Sequence, residues 1–193
     1  MTVRGDDGLL VFGHAEANTK FDADLFHYTA CGLDNVYLTS GYHREEFDGD
    51  SYTSVRDVEG LHVAIAVALA VGRRRLKGNE IAFLRKYLGL TQSELADEFG
   101  VDRVSVNRYE NDKQPLPETT RKWLQLLVLQ CFWREIKDNA EDRQVIIDSY
   151  AATIWEIVDW LRDLEVDAGQ DMPPAFVAAA AIGNWKMTTK RHG

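Results

Sequence analysis

The spacing of apolar residues near the middle of the chain predicts two short helices joined by a tight turn. Leu95, Ala96 and Phe99 would form one apolar face of the first helix. Thr91 precedes this face and Glu94 follows Thr91 by three residues, which is the pattern of a capping box. In that motif the hydroxyl and the carboxylate each accept a hydrogen bond from a backbone N–H of the first turn. A helix is therefore expected to begin after Thr91.

The next residues predict where the first helix ends and the second begins. Gly100 can adopt the left-handed conformation that ends many helices, and Asp102 is a good N-cap for the following one. Val106 and Tyr109 are the inward-facing positions of this second helix. Three polar residues then point outward, namely Arg103, Ser105 and Arg108. Two helices that cross over a short, glycine-containing turn form the arrangement that places the second helix in the major groove of DNA.

Upstream of this pair, the pattern predicts several short strands followed by a buried helix. Ser40-Gly41 and the acidic-glycine segment at 48–50 are turn signals. Residues 58–71 are too continuously apolar for an amphipathic helix, so we expect a helix that is mostly buried. The predicted strands cover residues 9–14, 36–39 and 42–47, with a returning strand that begins at Tyr52.

Downstream, the pattern is mostly helical. Pro117 fits the first turn of a helix that runs toward Lys137. Its inner face is predicted to consist of Trp123, Leu124, Leu127 and Val128. Residues 141–165 carry another strong helical pattern with an apolar stripe. A short alanine-rich helix is predicted after Pro174, and residues 186–193 form a basic tail that is expected to be frayed.

These elements predict a mainly α protein with a small β-containing N-terminal region and a C-terminal helical extension. We expect an irregular or β-hairpin region over residues 1–57 and a helix-turn-helix DNA-binding domain over residues 58–137. A helical extension over residues 138–193 is a candidate for dimerisation. At 193 residues, the chain is long enough for one well-cored domain and a smaller one.

The distribution of charge changes how the net charge of −9 is interpreted. Residues 72–122 hold 11 Lys and Arg against 8 Asp and Glu, a local charge of +3, whereas the remaining 11 basic and 23 acidic residues give −12. Because non-specific DNA binding depends mainly on phosphate neutralisation, acidic flanks would weaken it. The distribution suits either a protein that relies on base contacts or one with a second, basic partner.

Catalytic and metal-binding patterns are not evident in the chain. The five histidines lack HExxH or other metal-ligand spacing, and there is no Walker loop, GxSxG or GxGxxG motif. His27 and Cys31 lie four residues apart, but two ligands do not make a metal site, so a buried thiol is the expected state of Cys31. We therefore expect no enzymatic activity, no metal and no cofactor.

The chain also lacks the pattern of a membrane or secreted protein. Its longest apolar run, residues 63–71, is far short of the ~20 residues that span a bilayer. The first residues do not show the charged-then-apolar order of a secretory signal. Cys31 and Cys131 are widely separated and are expected to be reduced thiols. These features predict a cytoplasmic protein with no membrane partner.

Residues 84–112, LRKYLGLTQSELADEFGVDRVSVNRYEND, resemble the helix-turn-helix of the lambda-repressor-like, Cro and xenobiotic-response-element family. The resemblance covers about residues 77–127 and implies a five-helix DNA-binding bundle. Further upstream, CGLDNVYLTSGY, VRDVEGLHVAIAVAL and KGNEIAFLRK are similar to MqsA-type antitoxin-related regulators. The zinc-bearing members of that group have paired CxxC motifs, which this chain lacks.

The resemblance implies roles for individual side chains. It places Arg103, Val104 and Arg108 at positions that face base edges, and Gln92 at a position that contacts phosphate. Weaker candidates for phosphate contacts are Ser105, Asn107, Lys113 and Gln114, although a solvated surface position is favoured for Asn107. The alternative for Arg108 is a surface ion pair with Glu98 or Asp112. The resemblance also implies that Arg85 pairs with Glu110 and ties the motif together.

The sequence thus predicts a sequence-specific transcriptional regulator, an operator-binding repressor that binds double-stranded DNA as a homodimer. The apolar stripe of residues 141–165 is the candidate dimer surface, and the alternative is that it packs on its own bundle. A second hypothesis is an antitoxin that binds a protein toxin and represses its own operon. A third and more distant hypothesis is a nucleic-acid enzyme that uses the helices only for targeting.

Overall fold

The computed structural model describes residues 10–14, 25–48, 50–72, 74–139 and 185–187. Five strands come first in these ranges: β1 (Leu10–His14), β2 (Phe26–His27), β3 (Val36–Leu38), β4 (Tyr42–Phe47) and β5 (Asp50–Val55). The helices follow as α1 (Val58–Val71), α2 (Gly78–Tyr87), α3 (Gln92–Phe99), α4 (Arg103–Glu110) and α5 (Glu118–Asn139), and β6 (Trp185–Met187) comes last. The predicted helices at 141–165 and after Pro174 lie outside the described residues.

Four of the strands form one sheet in the order β2-β3-β1-β6. β1 runs parallel to β3, with Leu10 opposite Val36, and antiparallel to β6, with Phe12 opposite Met187. The predicted strands at 9–14 and 36–39 are confirmed. The frayed tail predicted from residue 186 is wrong for Lys186 and Met187, because the backbone of these residues pairs with a strand about 170 positions earlier in the chain.

β4 and β5 form a separate two-stranded sheet, the β4–β5 hairpin (residues 42–55). Its strands pair over six residues on each side, from Tyr42 opposite Val55 to Phe47 opposite Asp50. The prediction of strands around a turn at 48–50 is confirmed. Asp48 has a φ of 54°, in the left-handed region that tight hairpin turns require.

Helix α1 is buried along most of its length, as its continuous apolar pattern predicts. Nine of its residues are buried, and the helix contacts α2, α5 and β6. The four-stranded sheet and the helices share one hydrophobic cluster, which includes Phe12 and Leu38 from the sheet and Leu84, Leu95 and Leu124 from the helices. A helix that is apolar on every side can be stabilised only if other elements cover all of these sides.

The described part contains five helices, but they do not form a clear lambda-repressor five-helix bundle. The mainly helical class with a small strand region holds, whereas the finer architecture implied by the resemblance does not. The fold differs from a purely helical bundle because α1 packs against a strand, β6, as well as against helices α2 and α5. The division of the chain at residues 57 and 137 stays a prediction.

Helix α5 corrects one predicted core residue. Leu124 and Val128 are fully buried, as expected, but Trp123 is 45% exposed. The buried positions of α5 repeat at helical spacing, as Arg121, Leu124, Gln125, Val128 and Phe132. Trp123 lies beside this stripe, about 100° away from Leu124 around the helix axis. The apolar character of Trp123 therefore predicted the wrong side of α5.

Candidate nucleic-acid interface

The start and end of α3 depend on the residues that the sequence indicated. The Glu94 backbone N–H donates to the Thr91 hydroxyl over 3.2 Å, and the Thr91 N–H donates to the Glu94 carboxylate over 2.7 Å. The capping box is thus confirmed. The hydrogen bond from the Thr91 backbone is the main cause that holds the pKa of the Glu94 carboxyl below its usual range, and a hydrogen bond from the Thr91 side chain acts in the same direction. Gly100 ends the helix in the left-handed region, at a φ of 64°.

Three residues separate α4 from α3, and α4 is capped as predicted. The Ser105 backbone N–H donates to the carboxylate of Asp102 over 2.7 Å. Hydrogen bonds from Ser105 lower the pKa of Asp102, and the charge of Arg108 acts in the same direction. Val106 and Tyr109 are buried, which fixes the rotation of α4 against the core.

With Val106 and Tyr109 directed inward, the opposite face of α4 is open to solvent. Val104 is 56% exposed, which is unusual for a large aliphatic side chain. Ser105 is half-buried, and the exposed candidates on α4 and in the turn after it are Arg103, Asn107, Arg108, Lys113 and Gln114. Helical spacing thus places the predicted base-reading residues on the solvent-facing side of α4, while Lys113 and Gln114 are exposed in the turn that follows.

Within the part of the chain that the structure describes, neither Arg103 nor Arg108 forms an ion pair within 4.0 Å. The alternative partners of Arg108 were Glu98 and Asp112. Asp112 instead accepts a hydrogen bond from the backbone N–H of Gly78 over 2.7 Å. The guanidinium groups thus remain available to an external acceptor.

The predicted pair between Arg85 and Glu110 is confirmed. Arg85 Nε lies 2.5 Å from Glu110 Oε1, and Arg85 Nη2 donates to Oε2 over 3.2 Å, so the pair is bidentate. Both side chains are largely shielded from water. A third bond, from Arg85 Nη1 to the carbonyl of Leu90, ties the loop before α3 to the same group. The pair therefore connects α2, the α2–α3 loop and the end of α4.

Gln92 takes part in this network rather than standing apart from it. Its Nε2 donates to Glu110 Oε2 over 2.7 Å, which links the first residue of α3 to the last residue of α4. The predicted phosphate contact of Gln92 stays a prediction. In the structure, its amide nitrogen holds α3 and α4 together.

Gly78 is a structural requirement that the sequence did not reveal. A Cβ at this position would lie 2.4 Å from the carbonyl oxygen of Glu110 and 2.6 Å from its carbonyl carbon. These are backbone atoms at the end of α4, so they cannot move aside as a flexible side chain would. The first turn of α2 thus approaches the end of α4 to a distance that only glycine allows.

A buried carboxylate joins this helical part to the strand region, and sequence reasoning missed it. Glu80 is 0% exposed and accepts from Arg74 Nη1 over 2.8 Å, from Asn35 Nδ2 over 3.1 Å and from the Lys77 backbone N–H over 2.8 Å. In the sequence, the spacing of Glu80 three residues after Lys77 predicts the hydrogen bond that caps α2, but not the contacts with Arg74 and Asn35. Asn35 immediately precedes β3, so the network fixes α2 relative to the four-stranded sheet.

Other features of the described residues concern function less directly. None of the helices there has the length and apolarity that a membrane crossing requires. The thiol of Cys31 is half-buried, so the expected buried state is wrong, and Arg134 Nη2 lies 4.0 Å from the sulfur of Cys131. In the described ranges, no three His, Cys, Asp or Glu side chains are grouped as metal ligands would be.

Comparison with known proteins identifies one region of the chain. The helix-turn-helix family model matches residues 81–127, which include α3, α4, most of α2 and part of α5. The match does not extend upstream, so the resemblance of the preceding region to MqsA-type regulators is not confirmed. No curated protein and no solved structure matches the chain.

Proposed function

We propose that the chain is a repressor that binds a specific operator, because residues 81–127 match the model of the Cro/C1-type helix-turn-helix family. A domain of this kind makes the chain a DNA-binding transcriptional regulator. The observation that carries the finer proposal is the exposed face of α4, where two arginines that form no ion pair with another described residue flank an exposed valine.

Each side chain on this face has a defined partner in the major groove. A guanidinium group can donate two hydrogen bonds to guanine O6 and N7, and Val104 can contact the methyl group of thymine. Ser105, Lys113 and Gln114 would contact phosphates and fix the register on the duplex. Because the rest of the chain is acidic, non-specific attraction is weak and base contacts must supply much of the discrimination.

Repression is the simplest regulatory outcome of this binding. A protein that occupies a promoter-overlapping site blocks transcription without any further activity. We propose no enzymatic role and no cofactor, and the cytoplasm stays the predicted location. The interaction depends on α4 being held rigidly, which the Arg85–Glu110 pair and the approach of Gly78 accomplish.

The direct test of DNA reading is the replacement of Arg103 or Arg108 by alanine. From a random-sequence library, the wild-type chain is expected to select a defined site that contains guanine at positions read by these arginines. Each variant should lose about 1–3 kcal/mol of discrimination at its guanine. Weak, salt-dependent binding should persist, because the phosphate contacts remain. Binding can be measured by fluorescence anisotropy on the selected duplex and on single-base variants of it.

Val104→Ala is the matched comparison, because it changes the same face without removing a charge. This variant should keep the guanine preference and lose discrimination between thymine and deoxyuridine, which differ only in the methyl group. Unaltered base preference in all three variants would refute the assignment of this face. Failure of the wild-type chain to select any sequence would refute the proposed function itself.

We further propose that the chain binds DNA as a homodimer. One α4 reads only a few base pairs, whereas two copies about 34 Å apart would read a palindrome. The candidate surface, residues 141–165, lies outside the described residues. If the chain is a homodimer, analytical ultracentrifugation at micromolar concentration should give a mass near twice the 21.9 kDa of one chain. A monomer both with and without DNA would contradict the dimer.

The antitoxin hypothesis is the second candidate function. It requires a protein-binding surface separate from α4, and the observation that favours it is the exposed β4–β5 hairpin. In this case DNA binding would regulate the operon, and the hairpin region would hold the partner.

A further inference from the structure

Within the described residues, the β4–β5 hairpin packs against the hydrophobic core at its base. Tyr42 and Val55 at the base are half-buried and pack against the core cluster, whereas every described residue from 43 to 54 is exposed. A two-stranded hairpin without a covered face is only marginally stable in water. Its exposed length therefore contributes little to the core of the fold.

The base of the hairpin is held by aromatic contacts. The rings of Phe26 and Tyr42 lie 5.0 Å apart between centroids. The Arg44 guanidinium lies 5.8 Å from the Phe26 ring and 5.6 Å from the Tyr42 ring, so the hairpin's one arginine is directed toward its base. A backbone bond from Arg56 to Gly41 over 2.9 Å closes the same end. The orientation of the hairpin on the molecule is thereby defined.

Two aromatic rings lie together near the far end. Glu45 is opposite Tyr52 and Phe47 is opposite Asp50, so Phe47 and Tyr52 are diagonal neighbours on one face. Phe47 is 75% exposed and Tyr52 is 56% exposed. Adjacent exposed aromatic residues are typical of the anchors that supply most of the binding energy in a protein interface.

Carboxylates lie close to these rings in the hairpin, and Glu45 and Asp50 share the face of Phe47 and Tyr52. The hairpin carries Glu45, Glu46, Asp48 and Asp50 and one opposing charge, that of Arg44. In the described part of the chain, the one ion pair among these carboxylates is that of Glu45 with His43 at 3.3 Å, which requires a protonated histidine. The far end of the hairpin is therefore strongly negative as well as aromatic.

This charge decides which partner the hairpin can bind. Phosphates would be repelled, so the hairpin is unsuited to contact DNA beside α4. A second copy of the same hairpin would also be repelled. Lysine and arginine side chains, by contrast, can pair with the carboxylates while their aliphatic stems and charged heads pack on the aromatic rings.

We propose that the β4–β5 hairpin is the docking site of a basic protein partner, with Phe47 and Tyr52 as its anchors and the neighbouring carboxylates as its charged rim. This role is separate from DNA reading by α4. The same chain would then connect a DNA site with a second protein through two surfaces of opposite charge.

The test begins with a photoreactive benzophenone amino acid at position 52 of the full-length chain, expressed in the cells that naturally produce it. A second chain with the same amino acid at the exposed position 98 of α3 is the matched control. We expect position 52 to be cross-linked to a protein with a net positive charge that position 98 does not capture. A captured second copy, an acidic protein, nucleic acid or no specific product would overturn the proposal.

The captured protein is then purified, and its affinity for the chain is measured by titration calorimetry. Phe47→Ser combined with Tyr52→Ser should weaken binding at least about tenfold, as expected for the loss of anchor residues. Glu45→Gln combined with Asp50→Asn should weaken it and reduce its dependence on salt. Trp123→Ser with Glu98→Gln removes an exposed aromatic ring and a carboxylate elsewhere, and should leave the affinity within about twofold.

Measurements on the same variants separate this proposal from the proposed function. The hairpin variants should keep the wild-type melting temperature and the wild-type affinity for the selected DNA, because the changed side chains are exposed and about 50 residues before α4 in the sequence. Equal affinity of the wild-type chain and the Phe47 and Tyr52 double variant for the captured protein would overturn the docking site while leaving DNA binding intact.

Discussion

Replacement of Glu110 by alanine is expected to lower the free energy of unfolding by about 3–5 kcal/mol. The variant would leave the guanidinium of Arg85 largely shielded from water without its carboxylate, and it would leave the Nε2 donor of Gln92 without its acceptor. An uncompensated charge in such a position costs more than the pair itself contributes. Urea unfolding followed by circular dichroism measures the change, and the helix signal provides the transition.

Two further variants show whether the loss of stability comes from the unpaired charge of Arg85. Glu98→Ala removes an exposed carboxylate of α3 and should change stability by no more than about 0.5 kcal/mol. Arg85→Met combined with Glu110→Met removes both charges and should recover most of the loss, since replacing both partners leaves no buried charge. If Glu110→Ala is as stable as Glu98→Ala, the pair does not hold the three segments together.

Replacement of Glu80 by alanine is expected to have an effect of similar size, also about 3–5 kcal/mol. Glu80 is fully buried, and its removal would leave the Arg74 guanidinium and the Asn35 amide without the acceptor that they share. The capping contact with the Lys77 backbone would be lost as well. The same urea titration measures the loss.

Two other variants show which contact of Glu80 contributes most to the free energy of unfolding. Asn35→Ala removes one neutral donor and should cost about 1 kcal/mol, clearly less than the loss of the charged acceptor. Asp97→Ala, which removes an exposed carboxylate of α3, serves as the control and should leave the free energy of unfolding nearly unchanged. Equal stability of Glu80→Ala and Asp97→Ala would show that the junction between the sheet and α2 depends on apolar packing alone.

The candidate interface was predictable because its signals are local. Thr91 and Glu94 lie three residues apart, and so do Asp102 and the backbone N–H that it caps, so each contact forms within one turn of helix. Gly100 is required for its left-handed conformation, which depends on the residue itself. The inward direction of Val106 and Tyr109 follows from helical spacing. These contacts depend little on the remainder of the fold.

Features that join distant segments could not be predicted in the same way. The exposure of Trp123 depends on which arc of α5 faces α1, and apolarity alone does not specify that arc. The requirement for glycine at position 78 arises because the end of α4, more than 30 residues later, approaches the first turn of α2. Neither feature leaves a periodic pattern near the residue concerned.

By itself, the sequence determined the helix boundaries around α3 and α4, the outward arginines and the two-stranded hairpin, since hydrogen bonds between near neighbours and residue conformational preferences stabilise all of these. The tertiary structure alone decided that β1 lies between β3 and β6, that Glu80 connects the sheet to α2 and that Phe47 and Tyr52 remain uncovered. Such features depend on which surfaces meet when the chain collapses, and their free energy comes from contacts between residues far apart in the sequence.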